Sequence, residues 1–283
     1  MVDPRLRTAL LAWARHSGRH LPTPARSDPW AVMVLEVASQ QTQIVRSIEA
    51  ADRFVARFPT PAALAAATPA DAIREWAGLG YYRRAVKLRE AAIKIVVEHG
   101  GEVPRRLEEL AALPGIGPYT SRAIAVHAFG MPVAPLDTNV RRVARRFFGT
   151  DADIQANADG LVGLEEPARV VRALMDLATL VCRPKAPDCS GCPLVAGCAS
   201  AFAGPPAKID RPKGTPTRFV GSRRWLRGRL LGRLSAVTVG EWLPVEGLAA
   251  DLPDANVADA LSRMAADGLV EMADGRVRLS TTR

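Results

Sequence analysis

Four cysteines, Cys182, Cys189, Cys192 and Cys198, fall within seventeen residues of this chain at the spacing C-x6-C-x2-C-x5-C. Thiolates this close in sequence can converge on one inorganic centre, and with no secretory signal in the sequence disulfides are a poor use for them. Zinc is one candidate, because four-cysteine zinc sites with a C-x2-C step are common. The longer first and last gaps suit a loop wrapped round an iron–sulfur cubane better than paired zinc knuckles. Such a centre can staple a loop that has little core, since metal binding couples to folding. Arg183 and Lys185 lie between the first two cysteines, placed to meet phosphates.

Two carboxylates stand out by context. Glu36 is the only acid in the stretch from Trp30 to Gln43, in which the other residues up to Ala38 are apolar. Such a setting desolvates a carboxyl and raises its pKa, which makes it a usable general acid near neutral pH; the alternative is an acid at a helix edge with its head in water. Asp137 precedes a helical pattern containing Val140, Val143 and Phe147. Asp before a helix is most often an N-cap, and that role is compatible with a reacting one. Between them, Leu113-Pro114-Gly115-Ile116-Gly117-Pro118-Tyr119-Thr120 joins two helical segments. Gly115 and Gly117 permit a tight hairpin whose bare N–H groups, beside the next helix N-terminus, make a phosphate seat.

The elements that position these residues read as mostly helical up to residue 200. Apolar residues recur at three- and four-residue spacing in Trp30–Val45, Ile48–Phe58, Ala85–Glu98, Thr120–Phe129, Val140–Phe148 and Pro167–Val181. The N-terminal stretch up to His16 reads as an amphipathic helix. Thr60-Pro61 and Thr68-Pro69 predict capped helix starts, and Gly100-Gly101 and Gly130 predict stops. Residues 201–222 read as a basic linker containing Pro and Gly. From Lys208 to Arg233 there are nine basic residues against the single acid Asp210, either a solvated stretch or an arm that follows a phosphate backbone. Helices are expected over Arg223–Leu234, Val239–Ala249 and Asn256–Asp267. A hairpin of 269–272 and 276–279 with an Asp274-Gly275 turn follows. Three helices and a hairpin suggest a winged-helix-like module over 223–283. The formal net charge of +9 favours a polyanionic partner, and with no apolar run of about 18 residues no membrane span is expected.

Together these pieces resemble the helix-hairpin-helix DNA glycosylase superfamily, the endonuclease III-like enzymes, and within it the MutY-type adenine glycosylases. The matching stretches are Glu36 with Gln40-Gln41-Thr42, Gly78-Leu79-Gly80-Tyr81-Tyr82, the hairpin 113–120, Leu136–Arg142, Met175-Asp176-Leu177 and the cysteine loop. The tail beyond Cys198 is read as outside the match. The resemblance implies a mostly α, two-lobed core over 1–200 with a [4Fe–4S] loop at 182–198. It implies that Glu36 protonates the departing purine at N7 and that Asp137 stabilises or covalently captures the oxocarbenium-like sugar. Two carboxylates of opposite protonation suit glycosidic cleavage. Tyr119 and Asn139 would orient these groups and the water. Gln40, Gln41 and a tyrosine of Tyr81-Tyr82 would fill the stack left by the flipped base. Gly115, Gly117, Thr120, Arg183 and Lys185 would meet DNA, while Trp30 and Asp176 would lie near the base pocket, Asp176 alternatively bracing the cluster helix.

Bifunctional relatives carry a lysine where this chain has Tyr119, so a Schiff base and strand cleavage are not expected. The expected activity is monofunctional removal of adenine mispaired with 8-oxoguanine or guanine in double-stranded DNA, by a cytoplasmic monomer. Leu21-Pro22 is followed by Thr23-Pro24 where the adenine enzymes usually carry Trp-Arg, and Ser39 and Ala178 stand where they carry a bulky apolar residue and a glycine. Two alternatives stay open: a thymine/uracil mismatch or other-lesion glycosylase, motivated by the missing Trp-Arg, and a non-catalytic DNA-binding protein, motivated by the basic tail.

Overall fold

The computed structural model describes residues 2–19, 28–203, 220–250, 252 and 256–281. The Leu21–Pro24 segment and residues 204–219 of the expected linker lie outside the described residues.

Helix starts and stops follow local chemistry. Asp3 caps α1 (Pro4–Ser17), accepting the Arg5 N–H at 2.9 Å. Asp28 does the same for α2 (Pro29–Ser39), taking the Trp30 and Ala31 N–H groups at 3.3 and 3.0 Å. After α3 (Ile44–Arg57), α4 (Pro61–Ala66) and α5 (Pro69–Glu75) start at Thr60 and Thr68 as the Thr-Pro pairs predict, and Thr68 closes a capping box with Asp71. Left-handed Gly100 ends α6 (Arg83–His99). Then come α7 (Leu107–Ala111), α8 (Pro118–Phe129), α9 (Thr138–Phe148), α10 (Ile154–Val162) and α11 (Pro167–Leu180). The C-terminal segment holds α12 (Arg223–Ser235), β1 (Leu243–Pro244), α13 (Val245–Ala249), α14 (Val257–Ala266), β2 (Val270–Ala273) and β3 (Arg276–Leu279). Its antiparallel sheet runs β1-β3-β2, with Ala273 opposite Arg276 and Leu243 opposite Val277. Asp274 and Gly275, at φ 49° and 69°, make the two-residue turn that such a hairpin favours.

Two sequence expectations are corrected. The helix expected over Trp30–Val45 is two helices, because the chain turns at 40–43 with Gln41 at φ 56°; the apolar spacing carries across the break and conceals it. The helix expected over Val239–Ala249 begins only at Val245, since Leu243-Pro244 pairs with β3.

Contacts divide the chain into two compact units. One comprises Met1–Val32, Arg105–Ala112 and Ile116–Pro212; the other comprises Met33–Pro104, Leu113–Gly115 and Lys213–Arg283. In the first, α9, α10 and α11 pack around Val140, Val143, Leu161, Val170, Leu174 and Leu177, with α1 and α8 also on α11. In the second, α4 and α5 pack on α6, beside an aromatic group in which the Phe54 ring lies 5.0 Å from Phe58 and 5.2 Å from Trp76. The compact units do not follow the sequence division into 1–200, 201–222 and 223–283. Leu230, Leu231 and Leu234 of α12 share one core with Ala70, Ile73, Tyr82 and Val86, each leucine contributing about 2 kcal/mol by burial. The Ala70 N–H also donates to the Ser280 carbonyl at 2.8 Å. Among the described residues no helix is long and apolar enough to cross a membrane.

Candidate active site

Glu36 lies near the C-terminal end of α2, where Met33, Val34, Val37 and Ala38 are buried. The residue is half-buried, and its carboxyl is desolvated, so its pKa rises from the usual 4.5 to about 7. Charge on Glu36 is therefore finely balanced near neutral pH.

Arg84, at the start of α6, holds the end of α2. Its Nη1 donates to the carbonyls of Val37, Ala38 and Gln40 at 3.0, 2.9 and 2.5 Å. Its Nη2 reaches Thr42 Oγ1, Leu79 O and Gly80 O at 3.2, 3.3 and 3.2 Å. One guanidinium thus joins the carbonyls of a helix end to those of the glycine turn at 78–80. Burial lowers its pKa to about 10, which leaves it cationic. Replacing Arg84 by alanine is expected to cost about 3 kcal/mol, because one half-buried guanidinium ties the end of α2 to the turn at 78–80 through several charge-assisted hydrogen bonds that are all lost together. Lysine should rescue little, as a point charge cannot serve both sides of a planar fork. Urea melts of the three proteins test this; a lysine variant as stable as wild type contradicts it.

Gln40, Gln41 and Tyr81 line a cavity of about 410 Å³, together with Val37, Leu88, Pro114, Gly115 and the cations Arg83, Arg84, Lys87 and Arg227. Gln41 and Tyr81 both hold left-handed backbones, at φ 56° and 48°. Such strain costs on the order of 1 kcal/mol per residue and gathers at functional sites. Tyr82, by contrast, is buried in the core shared with α12, so of the two tyrosines only Tyr81 is available to a ligand. Gly115, at φ 79°, is required twice over: a Cβ there would strain the turn and lie 2.9 Å from Lys87 Cβ. Gly117 has ordinary extended geometry and caps α8, so the expected hairpin needs one glycine for its turn rather than two.

In the other unit, Asp137 caps α9. Its Oδ1 accepts the N–H groups of Asn139 and Val140 at 2.9 and 2.7 Å, and its Oδ2 accepts the Asn139 side-chain amide at 2.9 Å. Asn139 Oδ1 in turn accepts from Arg142 Nη1 at 3.1 Å. Arg142 also donates to the carbonyls of Cys182 and Ala178 at 2.9 and 2.7 Å. One turn on, Arg146 donates to the carbonyls of Arg183 and Pro184 at 2.8 and 2.9 Å and to Cys182 Sγ at 3.2 Å. An unbroken hydrogen-bonded chain thus runs from the Asp137 carboxylate to the first cysteine. Neither arginine was singled out from sequence; the available signal was two arginines four apart on the face that carries Val143 and Phe147.

The four cysteines line one pocket with Phe147, Leu177, Val181 and Leu194, and none is in a disulfide. Burial, with smaller contributions from the other three thiols, pushes Cys192 up to about 11. Among the described residues no group of three or more His, Cys, Asp or Glu that could hold a metal ion is found. Arg183 and Lys185 are exposed beside the loop. Tyr119 is 36% exposed on the first turn of α8. Thr120, expected at the DNA surface, is 5% exposed and packs inside. Trp30 is buried at 2%. Asp176, expected near the base pocket or as a brace of the cluster helix, is engaged by Arg19, with Arg19 Nε at 2.7 Å from Oδ1 and the Arg19 N–H at 3.2 Å from Oδ2.

Residues 34–159 match the family model for HhH-GPD superfamily base excision DNA repair proteins. An adenine DNA glycosylase of Mycobacterium tuberculosis (strain CDC 1551 / Oshkosh) is 40% identical over 96% of this chain and 92% of that protein. The chain belongs to the adenine DNA glycosylase family. A thymine/uracil-DNA glycosylase of Pyrobaculum aerophilum is 32% identical over 67% of this chain and 88% of that protein. The solved structure of a thermostable thymine-DNA glycosylase superposes with a TM-score of 0.64 at 24% identity, covering 70% of this chain and 95% of that one. That likeness fits the mostly helical HhH-GPD fold described above. The mycobacterial relative corrects one expectation: similarity within the adenine DNA glycosylase family does not end at Cys198 but takes in the C-terminal segment.

Proposed function

We propose that this protein excises adenine mispaired with 8-oxoguanine or guanine from double-stranded DNA, as a monofunctional N-glycosylase. The observation that carries the reading is Glu36: a half-buried residue whose carboxyl is desolvated to a pKa of about 7, in a chain that belongs to the adenine DNA glycosylase family. Protonated Glu36 delivers its proton to N7 of a flipped adenine. The C1′–N9 bond then breaks with its electron pair leaving on the base. Asp137, held on α9 by two backbone N–H groups, would stabilise the resulting oxocarbenium-like sugar by its negative charge or capture it at C1′. Water completes the hydrolysis and gives up a proton, with Tyr119 and Asn139 orienting the participants. Tyr119 offers no amine, so no Schiff base forms and the strand stays intact.

The four thiols suit a [4Fe–4S] cluster. They line one pocket in which Arg146 donates toward a ligand sulfur, and their C-x6-C-x2-C-x5-C spacing suits a loop wrapped round a cubane. Cys182, Cys189, Cys192 and Cys198 would hold it, and when bound it supplies bonds that staple the loop. Exposed Arg183 and Lys185 then reach phosphates, and residues 223–283 serve as a winged-helix-like module. The protein acts as a cytoplasmic monomer. The test is a panel of duplexes carrying A, T or U opposite G or 8-oxoguanine, with alkali-labile sites as the readout. Cleavage at A is expected; cleavage confined to T or U makes it a mismatch pyrimidine glycosylase, and none across the panel makes it a binder.

A further inference from the structure

The cavity carrying Gln40, Gln41 and Tyr81 is walled partly by the C-terminal segment. Arg227 of α12 lines it, and Arg224, one helical turn earlier on the same face, lies with its guanidinium 5.2 Å from the Tyr81 ring centroid. Asp267, at the end of α14, pairs with Arg227 Nη1 at 3.2 Å and with Arg83 Nε at 3.4 Å. A guanidinium has five N–H donors, so the hydrogen bond from Arg227 and the ion pair with Arg83 leave most donors of both arginines uncommitted to Asp267. The described lining holds four cations and no carboxylate. Two of its residues, Gln41 and Tyr81, have strained backbones. Arg84 is committed to backbone carbonyls. Arg83 and Arg227 share one acid and Lys87 is paired with Glu90 at 2.6 Å, so each keeps donors for an anion, and only Arg83 and Arg227 are held side by side by a common partner.

The geometry points to α12 as a DNA-contacting helix: Arg227, with Arg83 across Asp267, binds a backbone phosphate of the strand seated over this cavity, while Arg224 steadies Tyr81. The inference rests on the DNA glycosylase reading and adds to it that the C-terminal segment is part of the DNA-binding surface. Its ligand is a phosphodiester, recognised by charge and a planar fork.

The test uses the full chain and a labelled duplex carrying a tetrahydrofuran abasic analogue opposite guanine, with Kd measured from about 50 to about 200 mM KCl. Arg227→Ala is expected to weaken binding and to reduce the slope of log K against log salt by about one. Arg263→Ala, which removes an exposed cation paired with Asp259 on α14, should leave the slope and adenine release at the wild-type level. If Arg227→Ala does not fold, Arg227→Gln keeps an amide donor for Asp267 and reads the same slope. Wild-type slopes in the Arg227 and Arg83 variants overturn the proposal and make the pair with Asp267 a purely structural clasp. A wild-type protein that releases no adenine, while Arg227→Ala still lowers the slope, defeats the base assignment and leaves α12 as a DNA-binding helix.

Discussion

Replacing Glu36 by glutamine is expected to slow single-turnover adenine release by on the order of 10²–10⁴-fold while duplex binding is kept. Glutamine matches the shape of the acid but has no proton to give. The same change should make the protein more stable at about pH 8. The folded-state pKa of Glu36 is raised from 4.5 to about 7, so its carboxyl contributes favourably below about 4.5, and that contribution fades as pH rises through 7. Above 7 the ionised form in its apolar setting costs up to about 3 kcal/mol, which the neutral amide avoids. Thermal melts should show the variant above wild type at about pH 8 and the gap closing toward pH 4.5. An acid that only braces the fold would give the opposite sign, losing stability on replacement.

Asp137→Asn should also reduce turnover by at least on the order of 10²–10³-fold, because the negative charge beside the developing sugar cation is gone. Its stability should barely change, since asparagine caps helices about as well as aspartate. Asp137→Ala separates the two roles. It should lose turnover equally and lose about 1 kcal/mol more of stability, as the Asn139 and Val140 N–H groups are left without their acceptor. Rates and chemical melts on the three proteins decide the matter; full turnover in Asp137→Asn would leave that residue as a cap and nothing else.

Both acids were legible in the sequence for local reasons. Glu36 announces itself as a single charge in an apolar helical run, and Asp137 precedes a helix whose N-terminus needs an acceptor. What stayed hidden depends on contacts between distant segments. The break after Ser39 leaves no mark in the apolar spacing, because α3 resumes it. Tyr81 and Tyr82 are equivalent in sequence, and only packing against α12 sends Tyr82 into the core. The burial of Thr120 and the pairing of Asp176 with Arg19 also leave no trace in the local sequence. Arg84, Arg142 and Arg146 act on backbone carbonyls, which no side-chain pattern reports. The shared core of α5, α6 and α12 likewise joins residues more than a hundred positions apart, where periodicity along the chain carries no information.

The most direct measurement is the pH dependence of single-turnover adenine release from a duplex with adenine opposite 8-oxoguanine, taken from about pH 5 to about pH 9. With Glu36 as the proton donor, the rate should hold below about 7 and fall close to tenfold per unit above it, a limb that disappears from the residual rate of Glu36→Gln. A wild-type rate that stays level through pH 9, or a glutamine variant that keeps the same falling limb, would contradict the assignment of Glu36 as the acid.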